Sequence, residues 1–123
     1  FLIIKLHPEE NKDKYEKYKK DNVICIDDCN VSELIVISDH IIGMHSMLLL
    51  ELSIFRSDII SMRPRSKMNF IGQELEIVVS VSNVDELKDA IDNKKKSRNN
   101  FGQLFSNSEK KIVNFIEDLR YAT

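Results

Sequence analysis

The sequence predicts an α/β fold of three layers, with helices over both faces of a mainly parallel sheet. Three observations carry it. Short apolar runs rich in Ile and Val alternate with stretches of helical periodicity along the chain. The links between them are short. At 123 residues the chain has the length of one domain with a real core, so residues 1–123 are expected to form a single domain.

The elements follow in order. Phe1 to Leu6 reads as a buried strand closed by His7-Pro8, since proline keeps the residue before it out of the helical region. From Glu9 to Asp21 the pattern is charged with Tyr15 and Tyr18 on one face, which suits a solvent-lapped helix. Asn22 to Ile26 is a second strand, ending at Asp27-Asp28. Asn30 or Ser32 caps a helix through about Ile37, with Glu33 in its first turn. A strand at Ile41-Ile42 breaks at Gly43, turns through His45-Ser46 and opens into a leucine-rich helix through Phe55. Ile59 to Met62 is the next strand, Arg63 to Gly72 is irregular and basic, and Ile77 to Val81 is a further strand. Asn83 caps a helix through about Ile91. The polar stretch 93–100 (NKKKSRNN) is a solvated connector. Ser106 or Ser108 caps a last amphipathic helix carrying Ile112, Val113, Phe115, Ile116 and Leu119 at helical spacing.

Composition excludes several classes. Apolar residues at 42% and charged residues at 31% are ordinary for a globular chain. A net charge of −2 gives no basic footprint, so nucleic acid is not expected as a partner. No apolar run approaches a membrane span and no signal-peptide pattern is present, which points to a cytoplasmic location. Cys25 and Cys29 lack a second Cys/His pair at metal spacing, and His7, His40 and His45 form no metal triad, so neither metal nor cofactor is expected. The chain opens on the apolar FLIIKL, from which we expect a fragment of a longer protein.

In parallel α/β sheets ligands bind at the carboxyl ends of the strands. That edge would hold His7, Asp27-Asp28 and His45-Ser46. The strongest candidate is the turn before the leucine-rich helix. The backbone N–H groups of Ser46, Met47 and Leu48 and the Ser46 hydroxyl could hold a phosphate; equally, Ser46 could be a plain N-cap. Glu51 stands alone among leucines, as if buried, where a ribose diol or a salt bridge to Arg56 or Arg63 would satisfy it. His7 could donate to a phosphate or be structural. Arg63 and Arg65 could clamp an anion or form a loop held by proline. Asp27-Asp28 lacks the later Asp and Lys of a phospho-accepting pocket and reads as solvated loop acids. Met44 and Met47 read as core filling.

KLHPEEN, then ISDHIIGMHSMLLLELSIF with DIISMRP, and a closing FSNSEKKIVNFIEDL resemble the C-terminal nucleotide-binding domain of GT-B-type glycosyltransferases. The bacterial capsule and surface-polysaccharide enzymes are the nearest in kind, among them CDP-glycerol transferases and sialyltransferases with HP and serine motifs. The resemblance implies a Rossmann-like α/β/α fold and a nucleotide-activated sugar donor as partner. It implies that His7 contacts the donor phosphate, that the segment His45, Ser46 and Met47 holds the phosphate or diphosphate, and that Glu51 binds ribose hydroxyls. The catalytic base would come from an N-terminal domain outside this chain, so this chain alone is expected to bind without turning over. Peripheral membrane association of the parent is compatible with such a role. A nucleotide-sugar epimerase of similar architecture and a non-catalytic α/β interaction module are the alternatives.

Overall fold

The computed structural model describes residues 1–65 and 69–121. Residues 66–68 of the expected basic loop lie outside the described residues. The chain is mixed α/β of the Rossmann-like class, and its described residues form five strands in two small sheets with every pairing between named strands parallel. It divides into two compact units, Phe1–Ser38 and Asp39–Thr123.

In the first unit β1 (Leu2–Lys5) pairs with β2 (Val23–Ile26), in register from Leu2 opposite Val23 to Lys5 opposite Ile26. Bonds from Leu2 N to Asn22 O and from Leu6 N to Ile26 O, both 2.8 Å, extend the ladder. Between the strands runs a 3₁₀ helix, Lys12–Tyr18, capped by the Asn11 side chain. The expected longer helix from Glu9 to Asp21 does not form. With only two tyrosines to bury, the charged segment gains too little packing to sustain α-helix. Helix α1 (Val31–Ile37) begins where expected, with the Asn30 side chain accepting from Ser32 N.

The second unit holds β3 (Ile41–Gly43), β4 (Ile59–Met62) and β5 (Val79–Val81) side by side in chain order. Crossovers run through α2 (Met47–Leu52) between β3 and β4 and α3 (Ile71–Glu74) between β4 and β5; α4 (Val84–Asp92), α5 (Phe101–Leu104) and α6 (Ser108–Tyr121) follow. The core draws on Leu49, Leu50 and Leu52 of α2, Ile59 and Ile60 of β4, and Val79 and Val81 of β5. Ala90 of α4 seals Ile60, Val79 and Val81, with Leu87 and Ile91 packed around it. Each large aliphatic so buried contributes roughly 1.5–3 kcal/mol.

Three local expectations change. Helix α2 stops at Leu52 and unwinds through i→i+3 bonds, Ile54 N to Glu51 O and Phe55 N to Leu52 O. The Ser53 hydroxyl, buried, bonds back to Leu50 O at 2.6 Å there, a local pairing that competes with helix continuation. Met44 and Met47 are 52% and 68% exposed, because the leucines of α2 already fill the core beneath them. The connector 93–100 is only partly solvated: Ser97 N donates to Ser57 O at 2.6 Å, and Asn99 bonds Glu76 O through its amide N and Leu75 O through its side chain.

Candidate functional site

The turn after β3 is built from its glycine outward. A Cβ on Gly43 would lie 2.8 Å from Leu49 Cδ2, so the missing side chain lets Leu49 fold over the strand end and brings α2 close to the sheet. The chain then passes through Met44, His45 and Ser46, all exposed, before α2 starts. The turn is held from below. The Ser61 hydroxyl, 0% exposed on β4, donates to Met44 O at 2.5 Å. Gln73 of α3 donates its Nε2 to Ser61 Oγ at 3.3 Å, and Arg63 Nη1 donates to Gln73 Oε1 at 3.0 Å. Arg63 N in turn donates to Val81 O at 3.0 Å, carrying the connection to β5. A relay of polar side chains thus runs from α3 across β4 to the carbonyl at the head of the turn.

Ser46 sits at the N-cap position in extended conformation, φ −78° and ψ 152°, yet its side chain makes no capping bond. The plain-cap explanation for this serine is therefore not what the structure has. Its backbone carbonyl does accept from Leu49 N. With six residues, α2 offers little macrodipole, so anion binding at this turn would rest on backbone N–H groups and on His45 and Ser46 themselves.

Glu51 is exposed, contrary to the expectation of a buried acid. Helical rotation turns Leu49, Leu50 and Leu52 inward and leaves position 51 facing water. Burial thus supplies no reason for Glu51 to need a partner. Arg56 forks onto Asp58 instead, through Nε to Oδ1 at 2.8 Å and Nη2 to Oδ2 at 2.7 Å, and also donates to Asp39 O. That fork holds the Asp58 carboxyl below its usual range. Arg63 is only 7% exposed, so it braces the fold and is not a solvent-facing anion clamp; Arg65 is exposed.

His7 belongs to the first unit, where the HPEE turn folds on itself. His7 Nδ1 accepts from Glu9 N at 3.3 Å, and His7 O accepts from Glu10 N at 2.9 Å. An imidazole accepting at Nδ1 carries its proton at Nε2, as the hydrogen-bond pattern assigns it. Glu10 ties the turn to the 3₁₀ helix. Its carboxylate accepts from Lys14 Nζ and Tyr15 OH, both at 2.7 Å, and from His7 N at 3.3 Å. Those donors, Lys14 foremost, lower the Glu10 carboxyl to about 2. Asp27 and Asp28 are exposed, Asp27 paired with Lys12, as solvated loop acids would be. In the same unit an apolar groove of about 420 Å³ is lined by Leu2, Ile4, Val23, Tyr15 and Tyr18 together with Lys17 and Lys20.

No family model, curated protein or solved structure matches the chain. Among the described residues no group of three or more His, Cys, Asp or Glu side chains is placed to hold a metal ion. No helix there is long and apolar enough to cross a membrane. The expected positions therefore fall in two units: His7 in the first, and His45, Ser46, Met47 and Glu51 in the second. The sequence reading missed Ser61 and Gln73 altogether and left Arg63 open between an anion clamp and a loop held by proline. The available signal was a serine inside an otherwise apolar strand, where a buried hydroxyl has to find an acceptor.

Proposed function

We propose that this chain is the donor-nucleotide-binding part of a GT-B-type glycosyltransferase, moving a sugar or related unit from a nucleotide-activated donor in surface-polysaccharide synthesis. The motifs at KLHPEEN and ISDHIIGMHSMLLLELSIF suggest the family. One structural observation supports the reading best: an exposed His45-Ser46 turn at the carboxyl end of a parallel strand, with its carbonyl pinned by a buried serine. Open turns in that position are where α/β proteins bind ligands.

In this proposal the Ser46 hydroxyl, His45 and the neighbouring N–H groups stabilise charge on the departing nucleotide phosphate. A fixed turn matters for that task, because donors already in place need no rearrangement as charge develops. The exposed Glu51 carboxylate accepts ribose hydroxyls one helical turn further on, and Met47 lies between them on the same short helix. His7 is proposed separately, through the HP motif alone, as a phosphate contact of the first unit. The catalytic base comes from a domain outside this chain.

An amide-resolved NMR titration with CMP, CDP, UDP and GDP tests the reading. The expected result is saturable shifts concentrated at Ser46 to Glu51 with one base preferred, and weaker binding in Ser46→Ala and Glu51→Gln. Because Ser46 makes no capping bond, Ser46→Ala should leave stability within about 0.5 kcal/mol of the parent, below the ~1 kcal/mol of a lost cap. Silence across the panel at millimolar nucleotide would count against donor binding by this chain. It would favour the non-catalytic interaction module, a reading also supported by the exposed apolar face of α6.

A further inference from the structure

The described part of the last helix leaves its apolar stripe uncovered. Ile112, Phe115, Ile116 and Leu119 recur at i, i+3, i+4 and i+7, and each is more than half exposed, from 54% to 63%. A helix of 14 residues is marginal on propensity alone and normally depends on packing of such a face.

The charges beside the stripe say what fits it. At 100° per residue Lys111 and Asp118 lie along one flank, and Glu109 and Arg120 along the other. Glu109, Lys111 and Asp118 have no opposite charge three or four residues away on their own helix. Lys110 and Lys111 near the N-terminus and Glu117 and Asp118 toward the C-terminus run against the helix dipole, while Glu109 in the first turn and Arg120 in the last accord with it. Both flanking pairs share one midpoint, between Asn114 and Phe115. A two-fold axis at that point sets Lys111 opposite Asp118 of a second copy and Glu109 opposite its Arg120, on both flanks at once. It also lays each acidic C-terminal half beside the other helix's positive N-terminal end. Parallel pairing would bring opposite flanks together, Lys111 toward Glu109 and Asp118 toward Arg120 of the second copy, so a Lys111–Asp118 pair between copies marks the antiparallel arrangement alone.

We infer that α6 is a self-association element through which two copies of this chain pair as antiparallel helices. The interface is isologous, with the aliphatic and phenylalanine side chains of the stripe interleaved at the shallow crossing angle of antiparallel bundles. A contact of this length falls at or below the ~1,200 Å² low end of stable interfaces, so association should be weak, in the micromolar range or above. The inference is independent of what the His45-Ser46 turn binds.

Sedimentation equilibrium of the whole chain, with far-UV circular dichroism to confirm folding, tests it. The parent should dimerise reversibly. Lys111→Glu alone, or Asp118→Lys alone, should weaken the dimer about tenfold, since two symmetry-related pairs turn from attraction to repulsion. The double variant Lys111→Glu with Asp118→Lys should restore it, and mixing the two single variants should give a heterodimer. A parent that stays monomeric up to ~0.5 mM overturns the inference. So does a dimer indifferent to the single reversals, or one that the double variant fails to restore.

Discussion

Replacing Ser61 by alanine removes the pin beneath the candidate site. The hydroxyl is fully buried, donates to Met44 O at 2.5 Å and accepts from Gln73 Nε2 at 3.3 Å. Alanine strands both partners. Leaving a buried polar group without its partner costs about 1–3 kcal/mol; Gln73 is half-buried and can recover water, so we take about 2 kcal/mol for Ser61→Ala. Amide exchange at Ile60 on the central strand and at Val79, its partner on β5, reports opening of the second unit alone. An effect of ~2 kcal/mol lowers their protection roughly thirtyfold. Ser80, exposed on the neighbouring strand, provides the control: Ser80→Ala should change protection by less than ~0.5 kcal/mol. If Ser61→Ala behaves like Ser80→Ala, the serine does not hold the turn and the pinned-turn account fails. If nucleotide binding is present in the parent, Ser61→Ala should also weaken it without touching any ligand-facing group.

Gly43→Ala should destabilise the second unit by ~1–3 kcal/mol in urea unfolding, because its Cβ would intrude on Leu49 Cδ2; the effect is overpacking, since the Gly43 φ is not positive. Glu10 gives the first unit an acid-labile contact. Its carboxyl falls from the ordinary 4.5 to about 2 in the folded chain, so the stabilisation is complete above 4.5 and lost as pH drops toward 2. Glu10→Gln should remove that component, seen as a flatter pH dependence of Tyr15 and His7 chemical shifts between those values.

Much of the fold was legible because it rests on local chemistry. Asn30 and Asn83 announce α1 and α4, and both side chains cap as their type predicts. The parallel class follows from Ile/Val runs separated by helical stretches. Helix α3 was not legible: it has four residues, and just past its Leu75 cap stands Glu76 with φ 54°, where a glycine would have signalled the stop. Helix α4 is followed in the same way by Lys94 at φ 47°, and Asn107 at φ 61° separates α5 from α6. Glu51 was misread because a single acid in a leucine run suggests burial, whereas its position on the helix decides exposure. Ser61 escaped notice because a serine among the apolar residues of β4 signals a hydroxyl in need of an acceptor but not which carbonyl supplies it. Its role depends on the carbonyl of Met44, seventeen residues earlier.

The strand order carries a consequence for how the chain is made. In both sheets spatial neighbours are sequence neighbours: β1 beside β2, and β3, β4, β5 in succession. No strand has to wait for a partner from the far end of the polypeptide, so each crossover can close once its own two strands have left the ribosome. Non-local pairing is what makes parallel sheets slow to form and exposes their edges meanwhile. Here a nascent chain released as far as Ser38 already contains both strands of the first sheet, and one released as far as Asn93 contains all three strands of the second together with the α4 side chains that cover them.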